Sequence, residues 1–570
     1  MKIFCVLCVL CGLAPGALAL EREAFTISKY DLEIRLEPEQ QRLGTQGKIT
    51  LRNDSAHPQK VVALQISSSL NWRSIRIDGK AVQFVSQPYA SDIDHTGALS
   101  EAIVALPVEI KPKDSVELEI GYEGVIPLDA TRLVRIGVPE SFAKHTSWDQ
   151  ISPSFTAVRG AGYVAWYPIT TESADFSEGN SLFEVVDRWK AREMRSEFKL
   201  ALSLQDARGG TTPTLLCGAE AQGYSAEAGK DRGIRVECGW SPLGTVTPTF
   251  VMAEYVNESK APLKLFSLPG HEAGAATYSN ALDPATKFVS GWFGKPSASI
   301  AIADFADPQS APFESGTLLM ASMAADDSKL AGINLVHELV HSALPSSRPW
   351  VYEGLAHFAE AMYRQEQGGR QAALDFLGLH RAAFLDSEKE VSATPQKNPG
   401  QPLAITFDET YYRSKAAYVW WMLRDMAGDD AIKEAIRKYR AEDDNDKAPN
   451  YVEQLIEAAA KRDLGWFFDD WVYQDRGLPD FHVQSVHPWK TEKGVQFITV
   501  TLENLGNAGA EVPFTIFFEG GEITKRIEVR AKATATTRVE LPGIANKVVV
   551  NDGSVPESDL TNNVFKISAP

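Results

Sequence analysis

The segment His337-Glu338-Leu339-Val340-His341 constrains this chain more than any other part of its sequence. Histidines four positions apart lie on one face of a helix, about 6 Å from each other, so both imidazoles can reach one metal ion. Glu338 lies between them, placed to face a water molecule on that metal. Two imidazoles and a carboxylate suit one Zn²⁺ ion whose fourth position holds water, as in a hydrolytic site. We therefore predict a catalytic zinc site; the alternative is a buried core helix with two incidental histidines.

Two carboxylates compete for the role of third metal ligand, Glu353 and Glu360. The histidine helix should end near Leu344, and a short turn at 345–348 would carry the next helix back across it. Glu353 then lies about one turn into that helix and faces the histidines, whereas Glu360 is roughly 10 Å further along the axis. We expect Glu353 to bind zinc and Glu360 to hold the free N–H of a histidine, with His357 as another candidate for that supporting role.

The residues around Glu353 resemble a known family. Trp350-Val351-Tyr352-Glu353-Gly354-Leu355-Ala356-His357-Phe358 is similar to the W-x-x-E-G-x-A-x-[FY] motif of the aminopeptidase N family of zinc peptidases, which are gluzincins. In that family the Glu before Gly is the third zinc ligand, which implies the same role for Glu353. The family usually has eighteen residues between the second histidine and that Glu, and here eleven separate His341 from Glu353. The shortened link suggests a divergent branch, and a literal count of eighteen would reach Glu360.

Two further segments are similar to the family's substrate-binding parts. Residues 311–319 occupy the place of the G-x-M-E-N strand, whose Glu binds the α-amine of the substrate; the match assigns Glu314 and Gly316 to substrate binding. The alternative for Glu314 is a carboxylate at a strand end in solvent.

The segment Tyr411-Tyr412-Arg413-Ser414-Lys415-Ala416-Ala417 resembles the family's Y-x-K-G-A segment, whose Tyr donates to the developing oxyanion. Strict spacing puts Arg413 at the Tyr position. One extra residue at the helix start would bring Tyr412 there instead, with Tyr411 as the fallback. The alternative for Tyr412 is an aromatic ring that only packs at the start of a helix.

The first 19 residues have the pattern of an export signal. Lys2 precedes an apolar stretch at 3–13, and Ala17-Leu18-Ala19 is a small-x-small cleavage site. The two cysteines that remain, Cys217 and Cys238, should then form a disulfide. The apolar stretch is too short to span a bilayer, and no later segment is long enough. We therefore expect an exported protein, periplasmic or extracellular, without membrane insertion.

The hydrophobic pattern changes twice along the chain, which at 570 residues is too long for one domain. Strand-like alternation runs to about 256, helical spacing follows to about 479, and strand patterns then return. We predict an α+β multidomain fold with a signal peptide at 1–19, an N-terminal β saddle or sandwich domain at 20–256, a mostly helical catalytic domain at 257–480 and a C-terminal immunoglobulin-like β-sandwich at 481–570. The resemblance implies that the catalytic domain is thermolysin-like.

Three helix boundaries near the motif can be predicted from capping and breaking residues. Asp327 or Ser328 should cap a helix that stops before Pro345. A second helix should begin near Pro349 and end at Gly368-Gly369. A third should run from 408–410 to near Gly428.

These features together predict a zinc metallopeptidase that acts on peptides, with Glu338 as general base and an aminopeptidase as the preferred interpretation. The formal net charge of -18 argues against nucleic acid as a partner. One alternative is an endopeptidase with the same zinc chemistry, which would lack only a residue that binds the free α-amine of the substrate. The chain could also be an exported binding or adhesion protein with a vestigial zinc site. The oligomeric state and the preferred side chain are not fixed by the sequence.

Overall fold

The computed structural model describes residues 20–178, 181–205, 213–219, 222–226, 233–325, 327–393, 401–492 and 494–567. The predicted signal peptide at 1–19 lies outside these residues. The fold is mixed α+β, with sheets in the N-terminal part, helices in the middle and sheets again at the C-terminal end, which confirms the predicted fold class. Within the described ranges, no helix combines the length and the apolar character needed to cross a bilayer.

The N-terminal part is organised around an eight-stranded sheet. Its strand order is β12-β13-β10-β1-β2-β8-β4-β5, and two three-stranded sheets, β3-β7-β6 and β11-β14-β9, accompany it. Buried and exposed residues alternate along β1, as a strand with one covered face requires. The strands are β1 (Phe25–Glu37), β2 (Arg42–Asn53), β3 (Gln59–Ser67), β4 (Leu70–Ile77), β5 (Lys80–Ala81), β6 (Phe84–Ala90), β7 (Ala98–Ile110), β8 (Ser115–Val125), β9 (Phe155–Val158), β10 (Glu197–Gln205), β11 (Thr214–Leu216), β12 (Gln222–Ala226), β13 (Gly233–Trp240) and β14 (Phe250–Ala253), with helices α1 (Thr131–Arg135), α2 (Glu140–Thr146) and α3 (Ser181–Glu193).

The predicted disulfide is present in the N-terminal part. Cys217 follows β11 and Cys238 lies on β13, with their Cα atoms 6.0 Å apart. The bond therefore joins one of the small sheets to the large one. Closing the loop between these two cysteines contributes about 3 kcal/mol to the stability of the folded protein in the chain-entropy model.

The middle of the chain combines a five-stranded sheet with a set of helices. The sheet order is β15-β16-β17-β19-β18, in which β18 runs antiparallel to β19 at the edge. The strands are β15 (Val256–Lys260), β16 (Leu263–Ser267), β17 (Ile300–Ala303), β18 (Phe313–Ser315) and β19 (Leu318–Met320). The helices are α4 (Glu272–Trp292), α5 (Ser328–Ala343), α6 (Pro349–Ala393), α7 (Ala416–Ala427), α8 (Asp429–Lys438), α9 (Tyr451–Ala460) and α10 (Gly465–Phe468), with π-helical turns at Thr410–Lys415 and Asp469–Tyr473.

The three predicted helix boundaries are confirmed. The Asp327 side chain caps α5 by accepting from two backbone N–H groups, and the helix stops at Ala343, before the predicted proline. α6 begins at Pro349 and leaves helical geometry at Gly369 (φ 78°, ψ 178°), after which a further helical stretch follows. Gly428 ends α7 with a positive φ of 86°.

The C-terminal part consists of a three-stranded sheet, β20-β21-β24, and a four-stranded sheet, β23-β22-β25-β26. Its hydrophobic core is continuous with the core of the helical middle. The Trp471 indole N–H donates to the Gly509 carbonyl at 2.8 Å, so the two parts are also joined by hydrogen bonds. The strands are β20 (Phe481–Lys490), β21 (Gln496–Asn504), β22 (Ala510–Phe518), β23 (Gly521–Val529), β24 (Thr534–Leu541), β25 (Ala545–Val550) and β26 (Val564–Lys566).

A small apolar cluster joins the N-terminal part to the five-stranded sheet. It includes Trp148 and Phe155 from the first and Phe305 and Met320 from the second. The edge strand β18 lies at this junction, with Phe313 packed against the cluster. The junction therefore places an N-terminal surface beside the edge strand β18.

Candidate metal centre

Two antiparallel helices bring the predicted ligands together. His337 and His341 occupy one face of α5, and Glu353 lies in the first turns of α6, which returns across α5 after the short link at 344–348. The Tyr352 ring stacks on the His341 imidazole, with centroids 3.8 Å apart. This packing fixes the start of α6 against the histidine face.

The ligand atoms converge on one point. The two Nε2 atoms of His337 and His341 are 3.0 Å apart. The Glu353 oxygens lie 3.8 Å from the Nε2 atom of His337 and 3.9 Å from that of His341. These side chains are almost fully buried. The structure therefore brings together the three residues that the sequence assigns to zinc.

A second carboxylate, that of Glu314, enters the same space from β18. Its two oxygens each lie 3.0 Å from the Nε2 atom of one motif histidine. Glu314, His337, His341 and Glu353 together form a group whose candidate ligand atoms are all within 4.8 Å of one another. The sequence placed Glu314 at a substrate amine, and its direct approach to both imidazoles was not foreseen.

Glu360 contacts the Nδ1 side of His337, as the sequence predicts, and its role in holding a metal ligand stays a prediction. One of its oxygens pairs with the Nδ1 atom of His337 at 2.9 Å, and the other pairs with the Nδ1 atom of His357 at the same distance. Burial alone would lower the pKa of His337, but the carboxylates of Glu314 and Glu360 outweigh burial and raise it well above the usual value.

His380, which the sequence did not single out, extends this group of imidazoles. Its ring lies 5.0 Å from that of His357, and its Nδ1 atom is 3.2 Å from the Ser414 hydroxyl. Burial and the neighbouring His357 lower the pKa of His380 to about 4. His380 is therefore neutral at physiological pH.

Glu338 is fully buried beside the ligands without making a hydrogen bond. Both of its carboxylate oxygens, and Oε2 of Glu353, have no hydrogen-bond partner among the described residues. Burial raises the pKa of Glu338 well above its usual value, and Glu314 raises it further while His337 opposes the rise. Unpartnered buried carboxylate oxygens are costly, and a cation with its water at this point would satisfy them. The donor set of two imidazoles and carboxylates fits zinc.

The segment predicted to supply the oxyanion donor folds as a π-helical turn, Thr410–Lys415. Tyr412 is buried in this turn, and its phenol lies close enough to the Glu409 carboxylate to help lower the pKa of that group. Arg413 instead faces the candidate ligands, with its Nε atom 3.4 Å from Oε2 of Glu353 and its side chain 37% exposed. Strict sequence spacing pointed to Arg413; the assignment of Tyr412 to the oxyanion stays a prediction.

Gly316 closes the two-residue turn between β18 and β19. It has a positive φ of 64°, which favours glycine at this position of a tight hairpin. The turn fixes the position of Glu314 two residues earlier. A contact of Gly316 with substrate stays a prediction.

Comparison with known proteins shows likeness at the level of the fold. No protein-family model matches the sequence, and no curated protein matches it. An M1 zinc metallopeptidase from Deinococcus radiodurans, crystallised as a mutant, is 15% identical with a TM-score of 0.47, covering 80% of this chain and 96% of that one. Aminopeptidase A from Legionella pneumophila, in complex with aspartic acid, is 12% identical with a TM-score of 0.58, covering 94% of this chain. This chain spans 59% of the length of the Legionella protein and shares its fold.

Proposed function

We propose that this protein is an exported zinc metallopeptidase, a divergent member of the aminopeptidase N-like family, that removes residues from the amino end of peptides. The observation that carries the proposal is one buried space holding the Nε2 atoms of His337 and His341, the carboxylate of Glu353 and the unpartnered carboxylate of Glu338. The fold shared with an aminopeptidase agrees with this function, but the site residues are the argument for it. The Cys217–Cys238 disulfide supports export to an oxidising compartment.

The chemistry of the reaction follows from the residues around the site. A zinc ion held by His337, His341 and Glu353 would acidify a water molecule and polarise the scissile carbonyl. Glu338 takes the proton from the attacking water on one of its free oxygens and passes it to the leaving amine. Glu360 holds the Nδ1 side of His337 so that Nε2 faces the ligand space.

The proposed direction of cleavage depends on Glu314. A carboxylate at the edge of the active-site space can pair with the ammonium group of a free peptide terminus, which sets the position of the bond to be cleaved. Gly316 belongs to the same strand-turn segment and is proposed to line this subsite. An endopeptidase would use the same zinc residues without the ammonium contact.

The first experiment measures metal content and substrate class. Purified protein should contain one zinc per chain and should hydrolyse a panel of aminoacyl fluorogenic amides. Peptides with a free amino terminus should be cleaved, and the same peptides with an acetylated terminus should not. Equal cleavage of both forms would favour the endopeptidase.

The second experiment tests Glu338 as the base. Glu338→Gln should retain zinc and lose about 10²- to 10⁴-fold in kcat, because general acid–base catalysis contributes roughly that much. Glu366→Gln, at an exposed position of α6, is the matched control and should keep wild-type activity. A Glu338→Gln protein that binds zinc and keeps full activity would overturn the assignment of Glu338 as the base. A wild-type protein that hydrolyses none of the substrates would instead favour an exported binding or adhesion protein.

A further inference from the structure

We propose that Glu314 is a fourth protein ligand of the metal in the substrate-free enzyme, and that the ammonium group of the substrate draws it away. The inference rests on the proposed peptidase function. The sequence suggests only that Glu314 binds the substrate amine. Here the same carboxylate binds the metal when no substrate is present and the substrate amine when a substrate is bound.

The distances place Glu314 closer to the ligand set than Glu353. Each Glu314 oxygen is 3.0 Å from one histidine Nε2 atom, whereas the corresponding Glu353 distances are 3.8 and 3.9 Å. Ligand atoms bound at about 2.0–2.1 Å to a tetrahedral zinc ion lie roughly 3.4 Å from one another. Glu314 therefore meets the spacing expected of a ligand at least as well as Glu353 does.

The backbone around Glu314 is anchored on both sides. Glu314 pairs with Leu319 in the β18–β19 hairpin, and the Ser315 hydroxyl donates to the Thr247 carbonyl at 2.8 Å. Phe313, on the other side, meets the Tyr163 ring with centroids 5.2 Å apart. The strand holds the Glu314 side chain, which is 13% exposed, at the ligand space without help from a substrate.

The charges of the side chains at the site also support Glu314 as a fourth ligand. The carboxylates of Glu314 and Glu353 face the same two imidazoles in a buried space. With neutral histidines, the two carboxylates balance the charge of a divalent ion. The nearby Arg413 guanidinium pairs with Glu353 and leaves Glu314 as the carboxylate that is easier to remove.

A site with four protein ligands is closed to water, and a hydrolytic site needs an open position. The Glu314 carboxylate must therefore leave the metal before the reaction, and its negative charge then needs a new partner. A primary ammonium group forms a charge-assisted hydrogen bond with a carboxylate, whereas an acetylated terminus carries no charge. Free amino termini should therefore open the site, and blocked ones should leave it closed.

The test uses the full chain with its zinc replaced by cobalt(II), whose visible absorption reports the ligand set. Glu314→Gln should change this spectrum and weaken zinc binding by more than about 100-fold. Glu360→Gln, which loses only a carboxylate that orients a ligand, should weaken binding by about 10- to 100-fold and keep the wild-type spectrum. A dipeptide amide with a free amine should shift the wild-type spectrum toward that of Glu314→Gln, and its acetylated form should not.

The outcomes separate this inference from the proposed function. An unchanged cobalt spectrum in Glu314→Gln, with a loss of zinc affinity no greater than that of Glu360→Gln, overturns the inference and leaves the peptidase proposal intact. A wild-type protein that binds no zinc overturns both. The amine-dependent shift in the wild-type protein keeps the test decisive even if the Glu314→Gln protein fails to fold.

Discussion

Arg413 is a charged donor beside the proposed metal ligand Glu353. Its Nε atom lies 3.4 Å from Oε2 of Glu353, and its side chain is partly exposed. Tyr412, one residue earlier, is buried close to Glu409, whose carboxylate pairs with Lys190 at 3.0 Å. An oxyanion donor must be able to reach the bound substrate, and the partly exposed Arg413 is better placed for this than the buried Tyr412.

Paired substitutions at these two residues decide which one acts on the transition state. Arg413→Met should lower kcat by about 10²- to 10³-fold, the cost of removing one oxyanion donor, with KM changed much less. Tyr412→Phe should have a smaller effect on kcat. Steady-state kinetics on one aminoacyl amide would show the difference. The reverse order of effects would restore the Tyr412 assignment, and zinc content measured in both variants would exclude loss of metal as the cause.

At the scale of the element, local signals predicted the bounds of the helices that carry the candidate metal ligands, but they did not predict the π-helical turn at Thr410–Lys415. The cap at Asp327 and the proline at Pro349 act within a few residues of the helix starts that they determine, so the sequence alone locates them. A π-helical turn holds one more residue than an α-helical turn, so α-helical counting does not give the directions of the side chains at 410–415.

Contacts between distant parts of the chain could also not be predicted from the sequence. The approach of Glu314 to the histidines depends on how β18 docks beside α5, and the pairing of Lys190 with Glu409 joins residues 219 positions apart. Neither contact leaves a periodic or spaced pattern along the chain. The candidate metal ligands on one helix pair were therefore predictable, and the residues that surround them through tertiary packing were not.

Gly354 sets the spacing between α6 and α7 beside a proposed ligand. A Cβ atom at this position would lie 2.6 Å from the Ala416 Cβ atom and 3.2 Å from Cδ1 of Trp420. Gly354→Ala should therefore destabilise the protein by about 1–3 kcal/mol, the usual cost of overpacking, and should weaken zinc binding by displacing Glu353. Thermal unfolding and zinc titration measure the two effects.

Gly378, also in α6, provides the matched control for this substitution. It is exposed, and a Cβ atom there would meet nothing within 4 Å. Gly378→Ala should raise stability by up to about 1 kcal/mol, because alanine favours the helix without a clash. Equal effects at the two glycines would contradict the close-packing explanation for Gly354.

At the scale of the whole molecule, a chain of charges connects the N-terminal part to the site. Lys190 on α3 is buried and pairs with Glu409 at 3.0 Å, and Glu409 faces Arg413 at 3.9 Å. Lys190 is the largest cause of a Glu409 pKa lowered to about 2. The N-terminal part therefore helps to position Arg413 against Glu353.

Substitution of Lys190 tests this long-range positioning. Lys190→Met should lower kcat/KM by about 10- to 100-fold, because Glu409 without its lysine would draw Arg413 away from Glu353, and small displacements of catalytic groups have effects of that size. Adding Glu409→Gln to the same chain should recover part of the loss, and the double-mutant cycle measures the coupling. Lys199→Met, at an exposed position of β10, should have no effect. Additive losses at Lys190 and Glu409 would show that the two residues act separately.

A buried glutamate on helix α3 makes the stability of the protein depend on pH. Glu193, the last residue of α3, is fully buried and accepts a 2.7 Å hydrogen bond from the Tyr30 hydroxyl. Burial raises the pKa of Glu193 to about 7, although the Tyr30 hydrogen bond opposes the rise. The folded protein therefore binds this proton more tightly than the unfolded chain, in which a Glu titrates near pH 4.3. The contribution of this bound proton to the free energy of unfolding is complete below pH 4.3 and is lost as the pH rises to 7 and above.

Glu193→Gln should remove this contribution while keeping an acceptor for Tyr30. A shift of this size corresponds to about 3 kcal/mol of unfolding free energy lost between roughly pH 4 and pH 8. Other carboxylates contribute in both directions, so the difference between variant and wild type is the quantity to follow, by thermal unfolding at several pH values. The variant should lose less stability than the wild type as the pH rises across this range. Parallel curves for the two proteins would mean that Glu193 is already ionised in the folded state, and that burial against the large sheet does not hold its proton.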